Sequence, residues 1–546
     1  MSKNATQLFL EEAVECLEKA HGNYTDAANS LGLARTTFRD RIATASRKNK
    51  KLAERIKLVT DKKNLATKVD DETEVDTGKR HAHLSALQHN KINRYVITGA
   101  QNATPVFPAF WKALLQYCEF NEAELIVIPY RYKNPTSVWT LENETQNWWA
   151  QETLPYLLNQ RIELNKNLIL LADIKTQPTA VRPLSGFDTI TGGASAILAH
   201  PKLELITVPT PQHKLPKILT TTGACTQPNY TDTKTGKKGN FHHTFGACVV
   251  ETSDDVFHIR QLNAVRNGSF MDLQYEYDAD GVYNVDGIEA LVMGDSHQEF
   301  IDPDVVHATF GKHGLINTLK PKYVVWHDVH DFYARNHHHK DKVFVNYAKH
   351  HAGTHNVELA LDDTFRFVDE HAHDGINVFV PSNHPDALNK WVQATDPRED
   401  PENAVFWAKT FVACCEGARM TNTGVSTIDP FVYWAKQKMA TADKAIFLRR
   451  DESFVVHGIE LGYHGDMGPN GSRGSIGGFT KIGIKTIIGH SHSPGIRDGV
   501  YQVGLNSRYG LEYATGPSSW LQTDCIVYNN GKRTLINFIN GQWRAK

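Results

Sequence analysis

Hydrophobic positions near the start of the chain recur at the spacing of an amphipathic helix. A second, short helix is predicted from about Thr25 to Leu31, and a third follows a tight turn at Gly32. Three short helices with a turn before the last are typical of a helix-turn-helix domain, which we assign to residues 1–45. The apolar positions of the first predicted helix are Leu8, Leu10, Ala13, Val14 and Leu17.

The third predicted helix begins the most basic stretch of the chain. Residues 35–63 contain eleven Lys or Arg and three acidic residues, whereas the whole chain has 59 basic and 61 acidic side chains and a formal charge of -2. Because the overall charge attracts no polyanion, any affinity for nucleic acid must come from a locally basic surface. We therefore expect this helix to contact DNA phosphates. The alternative is a solvated helix face followed by a linker. The residues expected to contact DNA are Arg35, Thr36, Arg39 and Arg41.

The hydrophobic pattern changes twice after these helices. Residues 46–94 are predicted to be a linker, because a basic run is followed there by a polar, acidic segment without periodicity. From residue 95, short apolar runs alternate with helical stretches, which predicts an α/β domain that extends to residue 285. This domain carries no motif with an assignable chemistry. The Gly/Lys/Thr-rich stretch 231–240 is predicted to be a surface loop.

Residues 286–546 contain eighteen of the 27 histidines, and five predicted strands in this region lead into pairs of possible metal ligands. Because the C-terminal ends of such strands meet at one crevice, these side chains are expected to lie together. Their mixture of carboxylate and imidazole groups suits Mn, Fe or Zn better than Ca. The pairs are Asp295 with His297, Asp328 with Asp331, Asn383 with His384, His457 with His464, and His490 with His492.

The order of these pairs resembles the motifs of calcineurin-like metallophosphoesterases, which are DxH, GDxxD, GNH[DE], a histidine strand and GHxH, over about residues 290–505. The resemblance implies an α/β fold in which residues 286–546 form a β-sandwich flanked by helices. It also implies two divalent metal ions, Mn²⁺ first, with Mg²⁺, Fe²⁺ or Zn²⁺ as alternatives, that activate a water molecule for phosphoester hydrolysis. The implied ligands are Asp295, His297 and His492 for one ion, Asn383, His464 and His490 for the other, and Asp328 between the two.

Three further predictions concern catalysis and substrate binding. His384 resembles the non-ligand histidine of that family, which stabilises the developing charge and protonates the leaving oxygen, and Asp331 is the second predicted catalytic residue. Arg473, in the glycine-rich stretch 465–474, is predicted to hold a phosphate oxygen, with a plain inter-strand loop as the alternative. The histidine triplet 337–339 is predicted to be a solvated helix face or a substrate rim rather than a further metal site.

The chain departs from the family pattern at three positions. His327 and Ser382 stand where the family usually has glycine, and Pro385 interrupts the third motif. These changes are expected to alter loop geometry while every ligand type is kept. The fourth motif offers two histidines, and we favour His464, at the strand exit, over His457, which the pattern places within the strand.

Metallophosphoesterases include protein phosphatases, nucleotide phosphodiesterases and DNA nucleases, so the metal-ligand motifs alone do not identify the substrate. The N-terminal domain is the feature that indicates the substrate. The stretch GNYTDAANSLGLARTTFRDRI, residues 22–42, resembles the C-terminal DNA-binding module of the Fis family. A DNA-binding domain on the same chain, here called the head (residues 1–45), raises the concentration of DNA at a hydrolytic site. We therefore predict a metal-dependent DNA nuclease, similar in layout to phage-encoded early DNases that degrade host DNA. The alternatives are a phosphomonoesterase or cyclic nucleotide phosphodiesterase, and a DNA-binding regulator with an inactive core.

Cysteine usage and hydropathy bear on the compartment. The seven cysteines are scattered and include no CxxC pair, which is typical of a reducing cytosol. No run of about 18 apolar residues occurs. The sequence thus predicts a cytoplasmic protein, in the host cytoplasm if it is phage-encoded, with DNA as its partner and no membrane association. Homo-oligomerisation is left open.

Overall fold

The computed structural model describes residues 3–20, 24–64, 92–132, 148–211, 214–511 and 514–545. The chain forms two compact units. One contains the N-terminal helices, and the other contains the described residues from Tyr156 onward together with two earlier strands and one earlier helix. None of the described helices is both long enough and apolar enough to cross a membrane.

Four helices build the N-terminal unit around a small apolar core. Phe38 and Ile42 of the third helix are buried together with Val14 and Leu17 of the first. The turn before the third helix contains Gly32, whose φ of 63° lies in the left-handed region that glycine adopts without strain. The predicted order of three helices with a tight turn is therefore present. The helices are Lys3–Lys19, Tyr24–Ser30, Arg35–Lys48 and Lys50–Asn64.

The fourth helix lies in the range that the sequence assigned to a linker. Its Leu52 and Ile56 belong to the same apolar core, and Arg55 donates two hydrogen bonds to the Glu18 carboxylate, at 2.8 and 2.5 Å. The dense charge around the two apolar positions conceals their helical spacing in the sequence. The helical unit is therefore longer than predicted. Most of the remaining predicted linker, 65–91, lies outside the described residues.

A six-stranded sheet contains the strands that lead into the first three motifs. Its three central parallel strands are in register, with Val325 paired to Val292 on one side and to Val378 on the other. Their C-terminal ends consequently lie side by side at one edge of the sheet. The strand order is Ile446–Phe447, Ile376–Phe379, Pro321–Trp326, Ile288–Val292, Thr523–Val527 and Arg533–Asn537.

A ten-stranded sheet packs against this one. Ala290, Val292 and Val325 of the six-stranded sheet share a buried core with Ile487 and Tyr501 of the ten-stranded sheet. Since alternate side chains of a strand point to opposite faces, this core lies between the two sheets and makes a sandwich. The strand order is Val455–Val456, Ile459–Glu460, Lys485–Ile488, Val500–Gln502, Gly495–Arg497, Glu204–Val208, Lys217–Thr221, Ser195–Leu198, Leu168–Leu170 and Ile162–Asn165.

Helices cover the other face of the six-stranded sheet. Leu291 and Val324, which alternate with the sandwich residues, are buried together with Leu361, Leu388 and Trp434 from three of these helices. The sheet is therefore buried on both faces, which explains the continuous apolar runs of its strands. The helices that contribute to this core are Pro303–Phe310, Leu315–Leu319, Val357–Glu370, Asn383–Ala394, Ala404–Gly417 and Pro430–Lys438.

Residues 95–285 contribute strands to the sandwich. Leu205 in Glu204–Val208 pairs with Ile496 in Gly495–Arg497, so one sheet contains strands from both regions that the sequence separated at residue 285. A four-stranded sheet packs on the far half of the ten-stranded sheet. The predicted mixed α/β class is confirmed. The four strands are Glu124–Tyr130, Ile92–Gln101, Gly246–Ser253 and Val256–Asn263, with the helix Pro108–Phe120 between the first two in sequence.

The stretch 231–240, predicted to be a loop, contains most of the helix Lys234–His242. Thr233 caps that helix by accepting a hydrogen bond from the Gly236 N–H at 3.0 Å. A Cβ at position 236 would lie 2.0 Å from the Thr231 carbonyl oxygen. Close packing therefore requires this glycine, which the sequence pattern alone attributes to a flexible loop.

A buried histidine in the larger unit gives stability a dependence on pH. His200 is fully buried, accepts a hydrogen bond from the Lys202 N–H at Nδ1 (3.0 Å) and places Nε2 3.2 Å from the Gln177 carbonyl oxygen. Burial lowers its pKa to about 4, whereas an unfolded chain has a histidine pKa of about 6.5. Between about pH 6.5 and pH 4, His200 binds a proton in the unfolded chain but not in the folded chain. The stability that is present above about pH 6.5 is therefore lost as the pH falls through this range.

We expect His200→Asn, which keeps an acceptor for the backbone N–H, to show a smaller loss of stability on acidification than the wild type. Between pH 7 and pH 5 the difference should be about 2 kcal/mol of unfolding free energy. Urea unfolding of both proteins at the two pH values measures it. An equal loss in both proteins would contradict the neutral, buried state of His200.

Candidate metal centre

Two loops after neighbouring parallel strands place the first ligand-type residues. Asp295 and His297 follow the strand Ile288–Val292, and Asp328 follows Pro321–Trp326. The His297 N–H donates to the Asp328 carbonyl oxygen at 2.7 Å, which joins the two loops. The first two motifs are thereby brought to one place.

The first group of convergent atoms comes from Asp295, His297, Asp328 and His492, all buried. His492 Nε2 lies 3.1 Å from Asp295 Oδ2 and 3.1 Å from His297 Nε2. His297 Nε2 lies 3.8 Å from Asp328 Oδ2. Two ligands at about 2.1 Å from one ion are about 3.0 to 3.4 Å apart in octahedral or tetrahedral geometry, so the closer spacings suit a shared cation.

A second group shares Asp295 with the first and adds His327 and His464. His464 Nδ1 lies 3.9 Å from Asp295 Oδ1 and 3.3 Å from His327 Nδ1. The other ring nitrogen, His464 Nε2, lies 3.1 Å from Asp328 Oδ2. Asp295 and Asp328 therefore both contact residues of the two groups, and the groups adjoin each other.

Several polar atoms of these groups are buried without a hydrogen-bond partner. Buried polar atoms are normally hydrogen-bonded, because an unpaired one loses its hydration without compensation. Ligand atoms that face a cation are an ordinary exception. The buried His and Asp side chains could thus hold a metal ion. The unpartnered atoms of the two groups include Asp295 Oδ1 and Asp328 Oδ1, and Asn383 Oδ1 is a further unpartnered buried atom outside them.

Asp331 orients two histidines of the centre. Its Oδ1 accepts a hydrogen bond from His297 Nδ1 at 2.8 Å, which fixes the tautomer and leaves His297 Nε2 free to act as a ligand. Its carbonyl oxygen accepts from His384 Nδ1 at 2.8 Å, and the same nitrogen lies 3.2 Å from its Oδ1. The rings of His297 and His384 are 4.6 Å apart. Asp331 is therefore placed to position both rings.

Burial and neighbouring charges set the protonation of the centre. Burial opposes ionisation of Asp295 and Asp328, but His464 outweighs it and the pKa of each carboxyl lies below its usual value. Burial also opposes protonation of His464, but Asp328 and Asp295 raise its pKa. At His384, burial is outweighed by Asp328 and Asp331, which raise the pKa to about 10. The carboxylates are therefore ionised and require positive charge beside them.

Four residues of the centre have a left-handed backbone, which non-glycine residues rarely adopt. The φ angles are 42° at His297 and Asp328, 71° at His490 and 59° at His492. Each such residue costs roughly 1 to 3 kcal/mol and persists only where its surroundings hold it. Clustering of this strain at one place is typical of a functional site.

Comparison with known proteins shows a relative over most of the chain. The chain is 35% identical to "Protein A1" of Escherichia phage T5 over 472 residues, which is 83% of this chain and 83% of the relative. The chain belongs to the A1 family. No family model matches the chain, and no solved structure matches it. The A1 relative is a phage protein whose name states no activity, so the chemistry is argued from the site.

Three further predicted residues of this A1-family protein are His490, Asn383 and His457, and they lie at different distances from the two groups. The His490 ring lies 5.3 Å from the His464 ring, and Asn383 immediately precedes His384 at the start of a helix. His457 is partly exposed and pairs with Glu289 at 3.2 Å, so of the two histidines in the fourth motif only His464 lies in the centre.

The glycine-rich loop and the histidine triplet lie among the described residues as well. Arg473 is exposed, in a loop whose Gly474 N–H donates to the Asp466 carbonyl oxygen at 2.9 Å. His339 is buried with its Nδ1 2.6 Å from Lys349 Nζ, and the triplet 337–339 belongs to no group of possible ligands among the described residues.

Two residues of the centre were not predicted as functional. His327 lies inside the second group, although the sequence marked it only as a departure from glycine. Asp524 is fully buried, and its Oδ1 accepts from the Gly294 N–H at 2.8 Å and from Asn506 at 2.9 Å, so it supports the loop that carries Asp295. An acid within an apolar strand was the available signal for Asp524.

Gly489 offers a test of whether Asp295 holds the ion in this A1-family protein. A Cβ at this position would lie 2.2 Å from Asp295 Oδ1, so Gly489→Ala must displace the carboxylate and should lower the bound metal. Gly193→Ala is the matched control, because a Cβ there meets nothing within 4 Å. Metal content after Mn²⁺ loading and desalting measures the effect. Wild-type metal content in a folded Gly489→Ala protein would remove Asp295 from the ligand set.

Proposed function

We propose that the protein is a metal-dependent DNA nuclease of the calcineurin-like metallophosphoesterase class. The observation that carries the proposal is the pair of adjoining ligand groups, which share Asp295 and which Asp328 contacts on both sides. Two adjoining sites built from carboxylate and imidazole are suited to phosphoester hydrolysis. The fold supports the proposal, because the ligands lie at strand ends of a sandwich flanked by helices.

The proposed ligand sets are those that the family resemblance implies. The first set and Asp328 match the first group, whereas of the second set His464 lies in the second group and His490 does not. Imidazole and carboxylate together suit Mn²⁺, with Mg²⁺, Fe²⁺ and Zn²⁺ as alternatives. Two such ions, when bound, polarise a phosphate and lower the pKa of water. The sets are Asp295, His297 and His492 for one ion, Asn383, His464 and His490 for the other, and Asp328 between them.

His384 is the proposed general acid. Its Nδ1 is engaged by Asp331, at 2.8 Å from the carbonyl oxygen, so Nε2 is the nitrogen left to carry a proton to the leaving oxygen. The neighbouring carboxylates raise its pKa to about 10, which keeps the ring protonated at neutral pH. A cation bound beside those carboxylates would offset their effect and lower the pKa of His384. Asp331 acts through His384 and His297 by fixing both rings.

DNA is the proposed substrate because the first three helices and the turn at Gly32 have the order of a helix-turn-helix domain. Arg35, Thr36 and Arg39 are exposed on the helix that follows the turn, as phosphate and groove contacts require. Arg41 is half-buried, with its guanidinium 4.5 Å from the Phe9 ring centroid, so it also packs the head. A tethered head raises the local concentration of DNA at the metal centre. Membership of a phage family supports degradation of host DNA as the role.

The test is hydrolysis of circular and linear DNA, and of bis-p-nitrophenyl phosphate, by purified protein with Mn²⁺, Mg²⁺ or Zn²⁺. We expect DNA cleavage that stops when the metal is chelated. Asp328→Asn should lose both bound metal and turnover. His384→Ala should keep its metal while the rate falls by about 10² to 10⁴-fold, as for loss of a general acid.

Each alternative predicts a different result in this assay. Hydrolysis of a phosphomonoester or a cyclic nucleotide without DNA cleavage would replace the nuclease assignment by that activity. Tight DNA binding without hydrolysis under any of the three metals would indicate a regulator. Loss of metal in His384→Ala would make His384 a ligand.

The head makes a separate prediction about DNA affinity. Replacing Arg35 and Arg39 by alanine together should weaken DNA binding and lower the slope of log affinity against log salt by about one unit per lost phosphate contact. Hydrolysis of the small diester should persist, because the metal ligands lie in another unit of the chain. Arg449→Ala with Arg398→Ala is the matched control, since both arginines are exposed outside the head. An unchanged salt slope would mean that the head serves another purpose.

A further inference from the structure

A separate group of ligand-type side chains lies apart from the candidate metal centre. It consists of His350 near the end of the helix Val343–Ala352, His355 in the following loop, and Glu402 before the helix Ala404–Gly417. His350 and Glu402 are exposed, whereas His355 is buried. The chain therefore brings two imidazoles and a carboxylate together from three separate segments.

The three ligand atoms converge on one point. His355 Nε2 lies 3.2 Å from His350 Nδ1 and also contacts Glu402 Oε2 at short range. The ring nitrogen of a histidine offers either one proton or one lone pair, so His355 Nε2 cannot make a full hydrogen bond to both neighbours. A cation between the three atoms would satisfy all of them at once.

A polar network behind the group fixes the loop that presents it. Asn403, which is 1% exposed, donates to the His355 carbonyl oxygen at 3.1 Å and accepts from the Val357 N–H at 2.8 Å. The same side chain donates to Asp400, which Arg335 holds through two hydrogen bonds of 2.7 Å. Second-layer contacts of this kind orient ligands in built metal sites.

We propose that His350, His355 and Glu402 bind one divalent transition cation of the Zn²⁺ class. Two imidazole nitrogens and one carboxylate oxygen form a set that Zn²⁺ accepts, and the exposed side leaves room for water as a further ligand. The bound ion links the C-terminal end of Val343–Ala352 to the turn before Ala404–Gly417. The proposal is independent of the nuclease assignment, because it uses no residue of the catalytic centre.

The test compares bound Zn²⁺ in the full-length protein after EDTA treatment, reloading with Zn²⁺ and desalting. His350→Ala and Glu402→Gln should each bind about one equivalent less than the wild type, as expected when one ligand of a three-residue site is lost. His351→Ala and Glu399→Gln are matched controls, since both residues are exposed beside the group but outside it. The controls should bind as much Zn²⁺ as the wild type.

A second comparison separates this site from the catalytic centre. His350→Ala in the Asp328→Asn background should still bind about one equivalent less than Asp328→Asn alone. Equal Zn²⁺ content in the wild type, His350→Ala and Glu402→Gln would overturn the proposal. So would a loss seen only while Asp328 is intact, because His350 would then act through the catalytic centre.

Discussion

The structure depends on keeping two ionised carboxylates out of water. Asp295 and Asp328 are 0% and 1% exposed, and a buried charge without compensation costs several kcal/mol. Histidines from other motifs surround them, and His464 contributes most to keeping both ionised. The parallel strands, the hydrogen bond between their loops and the left-handed backbone at the ligands all serve to bring compensating groups close to these two carboxylates.

Asp331 shows how this constraint extends beyond the ligands. The same residue holds the ring of His297 through its carboxylate and the ring of His384 through its carbonyl oxygen. One residue therefore couples the geometry of a proposed ligand to that of the proposed acid. A change at Asp331 is expected to affect the proposed ligand and the proposed acid together, so its effect on turnover alone would not separate the two roles.

The sequence predicts the parts of this site that depend on local pattern. Apolar runs predict the strands, and the residues after them predict Asp295, His297, Asp328, Asn383, His490 and His492 as a set. The structure brings Asp295, His297, Asp328 and His492 into one group. The same logic favoured His464 over His457, because a ligand lies at a strand exit. The motif gives no signal for His327, because a glycine is usual at that position and a glycine has no side chain to act as a ligand. Asp524 was left out because its role depends on a backbone N–H that lies far away in sequence, at Gly294. The pairing of Leu205 with Ile496 spans nearly three hundred residues and leaves no local signal.

The pairing of Leu205 with Ile496 also limits how the chain can be shortened. The strand Glu204–Val208 pairs with one edge of Gly495–Arg497. The histidines of the last motif, His490 and His492, lie only a few residues before Gly495–Arg497. A shortened protein that begins at residue 286 would present an open strand edge beside its own metal ligands. Such edges recruit strands from other molecules, so we expect this fragment to aggregate. Residues 95–285, which carry no recognisable motif, thus complete the sheet that follows the last motif.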